Sequence, residues 1–265
     1  MENNLRKFVE FLEQVLEHSY SQRMQDLWAI WETGFKTDGY FVEFGALNGK
    51  DFSNTYILEK LGWGGALAEP HPDFAERVIG NRDCFFTPKC VYSRSNEKLV
   101  FHLVRGRPAM SSIGALMSQD DKSHLRSNFV ECEVETISLV DLLKEAGAPR
   151  EIDYLSIDTE GSELAILTAF DFQCFRINLI CVEHNDVQRE EIFKLLTSKG
   201  YERKFEAISG HDDYYVLRDS YEGWNTKKQQ NVISTLKKIP PFENQIAQRK
   251  KYLVDYKENA KFDKQ

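Results

Sequence analysis

Three short runs in the 265-residue chain are apolar almost without interruption: Tyr40–Phe44 (YFVEF), residues 152–157 (IDYLSI) and residues 177–182 (INLICV). A strand with one face in water alternates apolar and polar residues. An unbroken run marks a strand covered on both faces, as in a parallel sheet between two layers of helix. The segments around these runs keep the same rhythm. Residues 54–61 have helical spacing and stop at Gly62, 65–69 are strand-like, 72–79 helical and 84–87 strand-like. Residues 138–146, 163–170 and 187–199 read as helices, the first and last closed by Gly147 and Gly200. Strands alternating with helices predict βαβ units and an α/β fold with a mainly parallel sheet. The last two strand-like segments, 201–208 and 212–218, have no long helix between them and read as an antiparallel hairpin at a sheet edge. Between Leu99 and Ile137 the rhythm breaks around a Gly/Pro/Ser-rich stretch, RGRPAMSSIGALMSQDD.

The flanks differ from this middle. Leu5, Phe8, Val9, Leu12, Val15 and Leu16 recur at helical spacing, Leu27, Trp28 and Trp31 continue the pattern, and Gly34 ends it. Residues 225–265 carry 10 basic and 4 acidic side chains, whereas the whole chain has a net charge of −8. This stretch is polar and broken by Pro240-Pro241, and it reads as a solvated, partly helical appendage, with docking to an acidic partner, the polymer-facing side of an enzyme or a membrane surface as the sharper alternative. The expected division is an N-terminal helical segment at 1–36, a central domain at 37–222 and a basic, helical or flexible C-terminal tail at 223–265. No apolar run long enough to span a bilayer is present, and the first residues lack the pattern of a secretory leader. Five scattered cysteines without a Cys-x-x-Cys pair point to a reducing, cytoplasmic setting and away from a zinc site. The acidic balance argues against nucleic acid as a partner.

In open α/β sheets ligands bind beyond the carboxyl ends of the strands, where the strand order reverses. Acids stand at those ends: Glu43, Glu69, Asp158 and Glu183, the last followed by His184. Carboxylates at the mouth of a buried sheet are costly unless they are solvated, paired or coordinating, so four at corresponding positions define a candidate site. After Glu43 come Gly45 and Gly49, with three residues between them, in neither the Gly-x-Gly-x-x-Gly nor the P-loop pattern. The loop lacks a glycine cluster for a pyrophosphate and suits a nucleoside with an uncharged or cationic linker. Glu69 lies 20 residues beyond Gly49, where an acid meets ribose hydroxyls.

Two longer stretches, VEFGALNGKDFSNTYILEKLGWGGALAEPHP and IDYLSIDTEGSELAIL, resemble the FkbM-type (Star-like) methyltransferases, which depend on S-adenosylmethionine (SAM). The resemblance runs from about Phe41 to Leu217 and leaves out the N-terminal helices and the basic tail. It implies a Rossmann-like class I methyltransferase fold with a seven-stranded sheet and helices on both faces. It also implies O-methylation of a sugar, glycan or glycosylated metabolite. By the same resemblance Glu43, Gly45, Ala46, Leu47, Asn48 and Gly49 form the SAM loop, and Ser53, Asn54 and Thr55 shape it or face the methionyl end. Glu69 with Pro70 holds the ribose, Cys90 and Val91 border the adenine, Ser111 and Ser112 close over the cofactor, and Asp158, Glu160 and Glu163 form the second signature.

A sugar hydroxyl is a poor nucleophile at neutral pH and needs a base or a metal to lower its pKa. His184, beside Glu183 and Asn185, is the first candidate base and Asp158 the second. A divalent metal held by Asp158, Glu183 and His184 is compatible with the ligand types but not demanded by any motif. His211 reads as a surface residue on the acceptor side. A homo-oligomer or a larger glycan-assembly complex is compatible with the chain. Two other readings stand beside methyl transfer: a catalytically silent Rossmann scaffold, and a nicotinamide-dependent oxidoreductase, against which the missing Gly-x-Gly-x-x-Gly speaks.

Overall fold

A computed structural model describes residues 2–116, 123–184, 188–217 and 226–262. Asn185, the expected helix start at Val187 and part of the inserted loop lie outside the described residues. Eleven strands are described: β1 Tyr40–Phe44, β2 Gly64–Ala68, β3 Phe85–Thr87, β4 Cys90–Tyr92, β5 Lys98–Val104, β6 Ser112–Ile113, β7 Phe129–Ser138, β8 Glu151–Ile157, β9 Arg176–Glu183, β10 Tyr201–Lys204 and β11 Asp212–Leu217. The helices are α1 Glu2–Val15, α2 Gln25–Glu32, α3 Tyr56–Lys60, α4 Ala75–Asn81, α5 Leu139–Glu145, α6 Glu163–Ala169, α7 Arg189–Ser198, α8 Glu206–Ser209, α9 Thr226–Leu236 and α10 Ile246–Phe262.

Seven strands form one sheet in the order β10-β11-β9-β8-β1-β2-β3. The sheet is mixed, which qualifies the expectation of a mainly parallel one. The ladders β1–β2, β2–β3, β1–β8 and β8–β9 are parallel, while β9–β11 and β10–β11 are antiparallel. The short connection through α8 cannot return the chain to the far end of the sheet, so β11 runs back between β9 and β10. From β1 the chain moves outward to β2 and β3, and later from β8 to β9 on the other side. The order therefore reverses between β1 and β8.

Both faces of this sheet are covered, which is why its central strands β1, β2, β8 and β9 are mostly apolar. Phe41, Leu67, Tyr154, Leu179 and Tyr214 share a core with α1, α2, α9 and α10, through side chains such as Leu12, Trp28, Leu236 and Tyr256. Their sequence neighbours Val42, Ala68, Leu155, Ile180 and Tyr215 point the other way, onto Leu142, Leu167 and Ile192 of α5, α6 and α7. Trp28 stacks on Tyr214 with ring centroids 4.7 Å apart. Trp63 donates its indole N–H to the Lys36 carbonyl at the turn into β2.

Two readings of the flanks change. The N-terminal helical pattern is two helices, because Met24 takes a left-handed backbone angle (φ 64°) at the start of α2. The basic C-terminal stretch is packed: Val232, Leu236, Leu253 and Tyr256 are buried in the same core as α1 and α2. Few apolar residues mark it in the sequence because much of its anchoring is polar, through the wholly buried Arg249 and the Tyr256 hydroxyl.

The stretch that broke the rhythm is a second sheet, ordered β4-β7-β5-β6, with β5 and β7 antiparallel from Lys98↔Glu135 to Val104↔Phe129. It has its own small core of Cys90, Phe101, Ile113 and Val134.

Candidate functional site

Because β1, β2, β8 and β9 are parallel, their carboxyl ends share one edge. The β11 strand is antiparallel to β9 with Asp212 opposite Glu183, so its beginning joins that edge. A cleft of about 390 Å³ opens there, within the usual range of about 300–1,000 Å³ for small-molecule sites. It is lined by Glu43, Gly45, Leu47, Asn54, Glu69, Pro70, Cys90, Val91, Asp158 and Glu183, all expected from the sequence. Ala46, Asn48, Gly49, Ser53, Thr55, Ser112 and His184 are not among the lining residues.

The first loop is organised around Glu43. Its buried carboxylate accepts hydrogen bonds from Ser53 Oγ (2.8 Å), Thr55 Oγ1 (2.6 Å) and the Asn54 N–H (2.6 Å). Arg82 Nη1 lies 3.7 Å away, and the same guanidinium donates to the Gly49 carbonyl (2.9 Å) and to Glu59 (3.0 Å). Burial pushes the Glu43 pKa up, and Arg82 with the three donors pulls it back. Ser53 and Thr55 are thus spent on Glu43 rather than presented to the cleft. Glu43 braces the loop as well as bordering the cleft, a role that its place near the end of β1 did not reveal.

Asn54 is different. Its Nδ2 donates to Ser156 Oγ (2.9 Å), and its buried Oδ1 has no partner in the chain. A buried acceptor at a cleft wall is expensive to leave unmet and marks a place for a ligand donor. Opposite lies Gly45, at φ +71°, where a Cβ would stand 1.9 Å from the Asp158 carbonyl oxygen, so no side chain fits between the two strand ends.

Glu69 follows β2 and is 4% exposed. One carboxylate oxygen accepts the Leu47 N–H and the other the His71 N–H, both at 2.8 Å. Burial pushes its pKa up to about 7, against the pull of those two donors. A carboxylate has about four acceptor positions, so two remain for hydroxyl donors from a ligand. Beside it, burial drives the Cys90 thiol up to about 12, which leaves it unreactive packing. Ser111 lines the cleft from the second sheet, its Oγ accepting the Val104 N–H at 3.0 Å. Ser112 is wholly buried behind it, and its Oγ has no partner.

At the other end the floor is acidic. Asp158, Glu160 and Glu183 each offer an oxygen within 4.8 Å of the others, and Asp212 lies beside them. Burial together with the carboxylates of Glu183 and Glu160 raises the Asp158 pKa well above its ordinary range. Burial also pushes Asp212 up to about 6, opposed by Arg23 and by the Gln25 amide. Like charges this close favour protons or a cation among them. Glu160 pairs with Arg126 and takes a left-handed backbone (φ 57°). Glu163 serves the loop itself, accepting Thr159 N–H and Thr159 Oγ1, both at 2.8 Å, and the Gly161 N–H.

His184 does not reach the cleft. Successive strand residues face opposite sides, so when Glu183 points to the cleft His184 turns behind it, its Nε2 3.9 Å from Asp213 Oδ1. Arg189 and Arg203 hold that same Asp213. The acidic trio that could hold a divalent cation therefore contains Glu160 in place of His184. The cleft instead presents His211, read from the sequence as a surface residue, whose carbonyl accepts the His184 N–H at 2.9 Å. Gln22, Arg23, Gln25 and Tyr252 also line it. No motif announced these four, since they come from the flanks, Gln22 and Arg23 from the loop between α1 and α2, Gln25 from α2 and Tyr252 from α10.

A search of curated proteins found no match to the chain. A family model described as the methyltransferase FkbM domain matches residues 43–203, more than half the chain. That span runs from the braced Glu43 loop through the acidic floor into β10, in agreement with the resemblance carried by the two motif stretches, and the chain belongs to the FkbM methyltransferase domain family.

Proposed function

We propose that the chain transfers a methyl group from SAM to a hydroxyl of a sugar, glycan or glycosylated metabolite. The central domain expected at 37–222 would carry the chemistry and the flanking helices would complete the cleft. The observation that carries the reading is the cleft itself. Over the reversal point of the sheet it combines a half-satisfied Glu69, the unmet acceptor of Asn54 and an acidic floor. A sulfonium–ammonium nucleoside has donors and positive charges for these groups, and its methyl carbon is the electrophile.

In this reading Glu69 takes the ribose hydroxyls through its two remaining acceptor positions. Asn54 Oδ1 takes a donor of the methionyl end. Gly45 keeps the chain flat beneath the ligand. Cys90 and Val91 provide an apolar wall for the base. Aligning acceptor oxygen and methyl carbon supplies much of the catalysis; effective molarities of oriented pairs are worth up to about 7–11 kcal/mol. Asp158 is the base in this reading, because it stands in the cleft where His184 does not. Burial and the neighbouring carboxylates of Glu183 and Glu160 push its pKa up in the ligand-free protein. A cation arriving above it favours the carboxylate, which can then accept the hydroxyl proton. A divalent cation held by Asp158, Glu160 and Glu183 would instead lower the hydroxyl pKa directly, and the clustering of the three oxygens favours that variant. Five cysteines without a disulfide suit a reducing cytoplasm.

The test is incubation with isotope-labelled SAM and a panel of nucleotide sugars and glycans, read by mass, beside titrations with S-adenosylhomocysteine and NAD. Label on a sugar oxygen and selective binding of S-adenosylhomocysteine are expected. NAD binding in its place would sink the reading.

A further inference from the structure

The FkbM match leaves out two segments that reach the cleft: the loop between α1 and α2, with Gln22 and Arg23, and α10, with Tyr252. Both are firmly built. The Asp26 carboxylate accepts hydrogen bonds from Ser19 Oγ (2.6 Å), Ser21 Oγ (2.7 Å) and the Tyr20 N–H (2.8 Å). From α10, Arg249 Nε donates to the Ser21 carbonyl at 3.0 Å, and the Tyr256 hydroxyl donates to the Arg23 carbonyl at 3.3 Å. The Arg23 guanidinium lies 4.3 Å from the centre of the Tyr252 ring and donates to the Ser209 carbonyl at 3.2 Å. Gly210 leaves the space for this: at φ +70°, a Cβ there would fall 1.9 Å from Arg23 Nη1. Gln25 Nε2 then fixes Asp212 at 3.1 Å.

Through Arg23 and Gln25 this wall reaches the end of the cleft that also holds His211 and Asp212, while Ser21, beside Gln22, bridges to Phe52 of the first loop. We propose that Gln22, Arg23 and Tyr252 select the acceptor, holding a polyhydroxylated ring over the carboxylates of Asp158, Glu183 and Asp212. The inference rests on the O-methyl transfer proposed above. Carboxylates take hydroxyl donors, the Gln22 amide both gives and accepts hydrogen bonds, and the Tyr252 ring offers an apolar surface to the C–H face of a sugar. Arg23, already occupied by Tyr252 and the Ser209 carbonyl, offsets part of the acidic charge and keeps the ring in place. An apolar acceptor would desolvate the acidic floor without offering it a donor, and is rejected. Acceptor choice then belongs to the segments outside the matched domain, and the domain supplies the methyl-transfer end.

The experiment uses the full chain and its Gln22→Ala, Tyr252→Ala and Tyr252→Phe variants. Binding of S-adenosylhomocysteine is measured by calorimetry, and transfer from labelled SAM to methyl glycosides and nucleotide sugars by mass. Expected is S-adenosylhomocysteine affinity within about twofold throughout, and an acceptor KM raised about tenfold in Tyr252→Ala with kcat little changed. Gln22→Ala raises KM about fivefold, and Tyr252→Phe stays near the unaltered protein. Gln22 is exposed, so that variant keeps the test alive if Tyr252→Ala fails to fold. An unchanged acceptor KM in Gln22→Ala and in any folded Tyr252→Ala, or a matching loss of S-adenosylhomocysteine affinity, overturns the proposal. If the unaltered chain binds S-adenosylhomocysteine but methylates no member of the panel, the sugar class falls and the methyltransferase reading stands. If S-adenosylhomocysteine does not bind, both fall.

Discussion

At the β1–β2 end of the cleft the groups come from one stretch, residues 43–55, plus Glu69. At the β9–β11 end they come from Asp158, Glu183 and Asp212, from the loop before α2 and from Tyr252 in α10. The two ends also treat charge differently. Glu43 is met by three donors and Arg82, and both oxygens of Glu69 accept a backbone N–H. Asp158 has other carboxylates for neighbours. The first end braces its carboxylates with donors of its own and leaves open only Asn54 Oδ1 and part of Glu69, while the second concentrates acidity. A braced, preorganised end thus stands beside an acidic one.

The contrast can be broken most sharply at the floor. Asp158→Asn is expected to slow methyl transfer by roughly 10²–10⁴, the range of general-base catalysis, in single-turnover measurements. S-adenosylhomocysteine affinity should barely move; a small rate effect would hand the proton to another group. On the braced side, Arg82→Ala leaves Glu43 buried without its cation and is expected to remove about 3–5 kcal/mol of stability in urea unfolding. A loss near zero would mean that the loop does not depend on the pair. Glu69→Ala is expected to weaken S-adenosylhomocysteine binding by about 1.5–3 kcal/mol, read by calorimetry. Glu69 also sharpens the comparison through pH. Its folded pKa of about 7 stands above the ordinary 4.5. Its contribution to stability is therefore complete below the ordinary value and declines as pH rises through 7, by up to about 3 kcal/mol in the ligand-free protein. Thermal melts across that window should show the decline, and the Glu69→Ala protein should show a flatter one. The smallest effect is expected from His184→Asn: a change in kcat/KM below about threefold, since His184 stands behind the cleft wall.

The same contrast accounts for what could be read from the residues alone. β1, β8 and β9 were legible because burial on both faces leaves little but apolar side chains. β4 and β6, of three and two residues, are too short to carry a period. The break between α1 and α2 depends on Met24 at a positive φ, which the surrounding structure imposes. Glu69 could be placed because spacing along βαβ units is local. His184 was misplaced relative to the cleft because a shift of one residue on a strand reverses the face, and Glu160 faces the floor from a turn whose backbone angle no pattern encodes. Gln22, Arg23 and Tyr252 reach the cleft only through contacts between the two flanks, which no motif can register.

Arg249 and Ser21 are joined across 228 positions of the chain. Every residue between them must be made before that bond can form, so on a ribosome the β1–β2 loop and the acidic floor can assemble while the wall opposite Tyr252 still lacks its support. A nascent chain halted before α10 would hold the whole matched span but lack Leu253 and Tyr256 in the core over one face of the sheet, and Tyr252 at the cleft. On the acceptor role proposed for Tyr252, completion of α10 is the step at which the cleft acquires that discrimination.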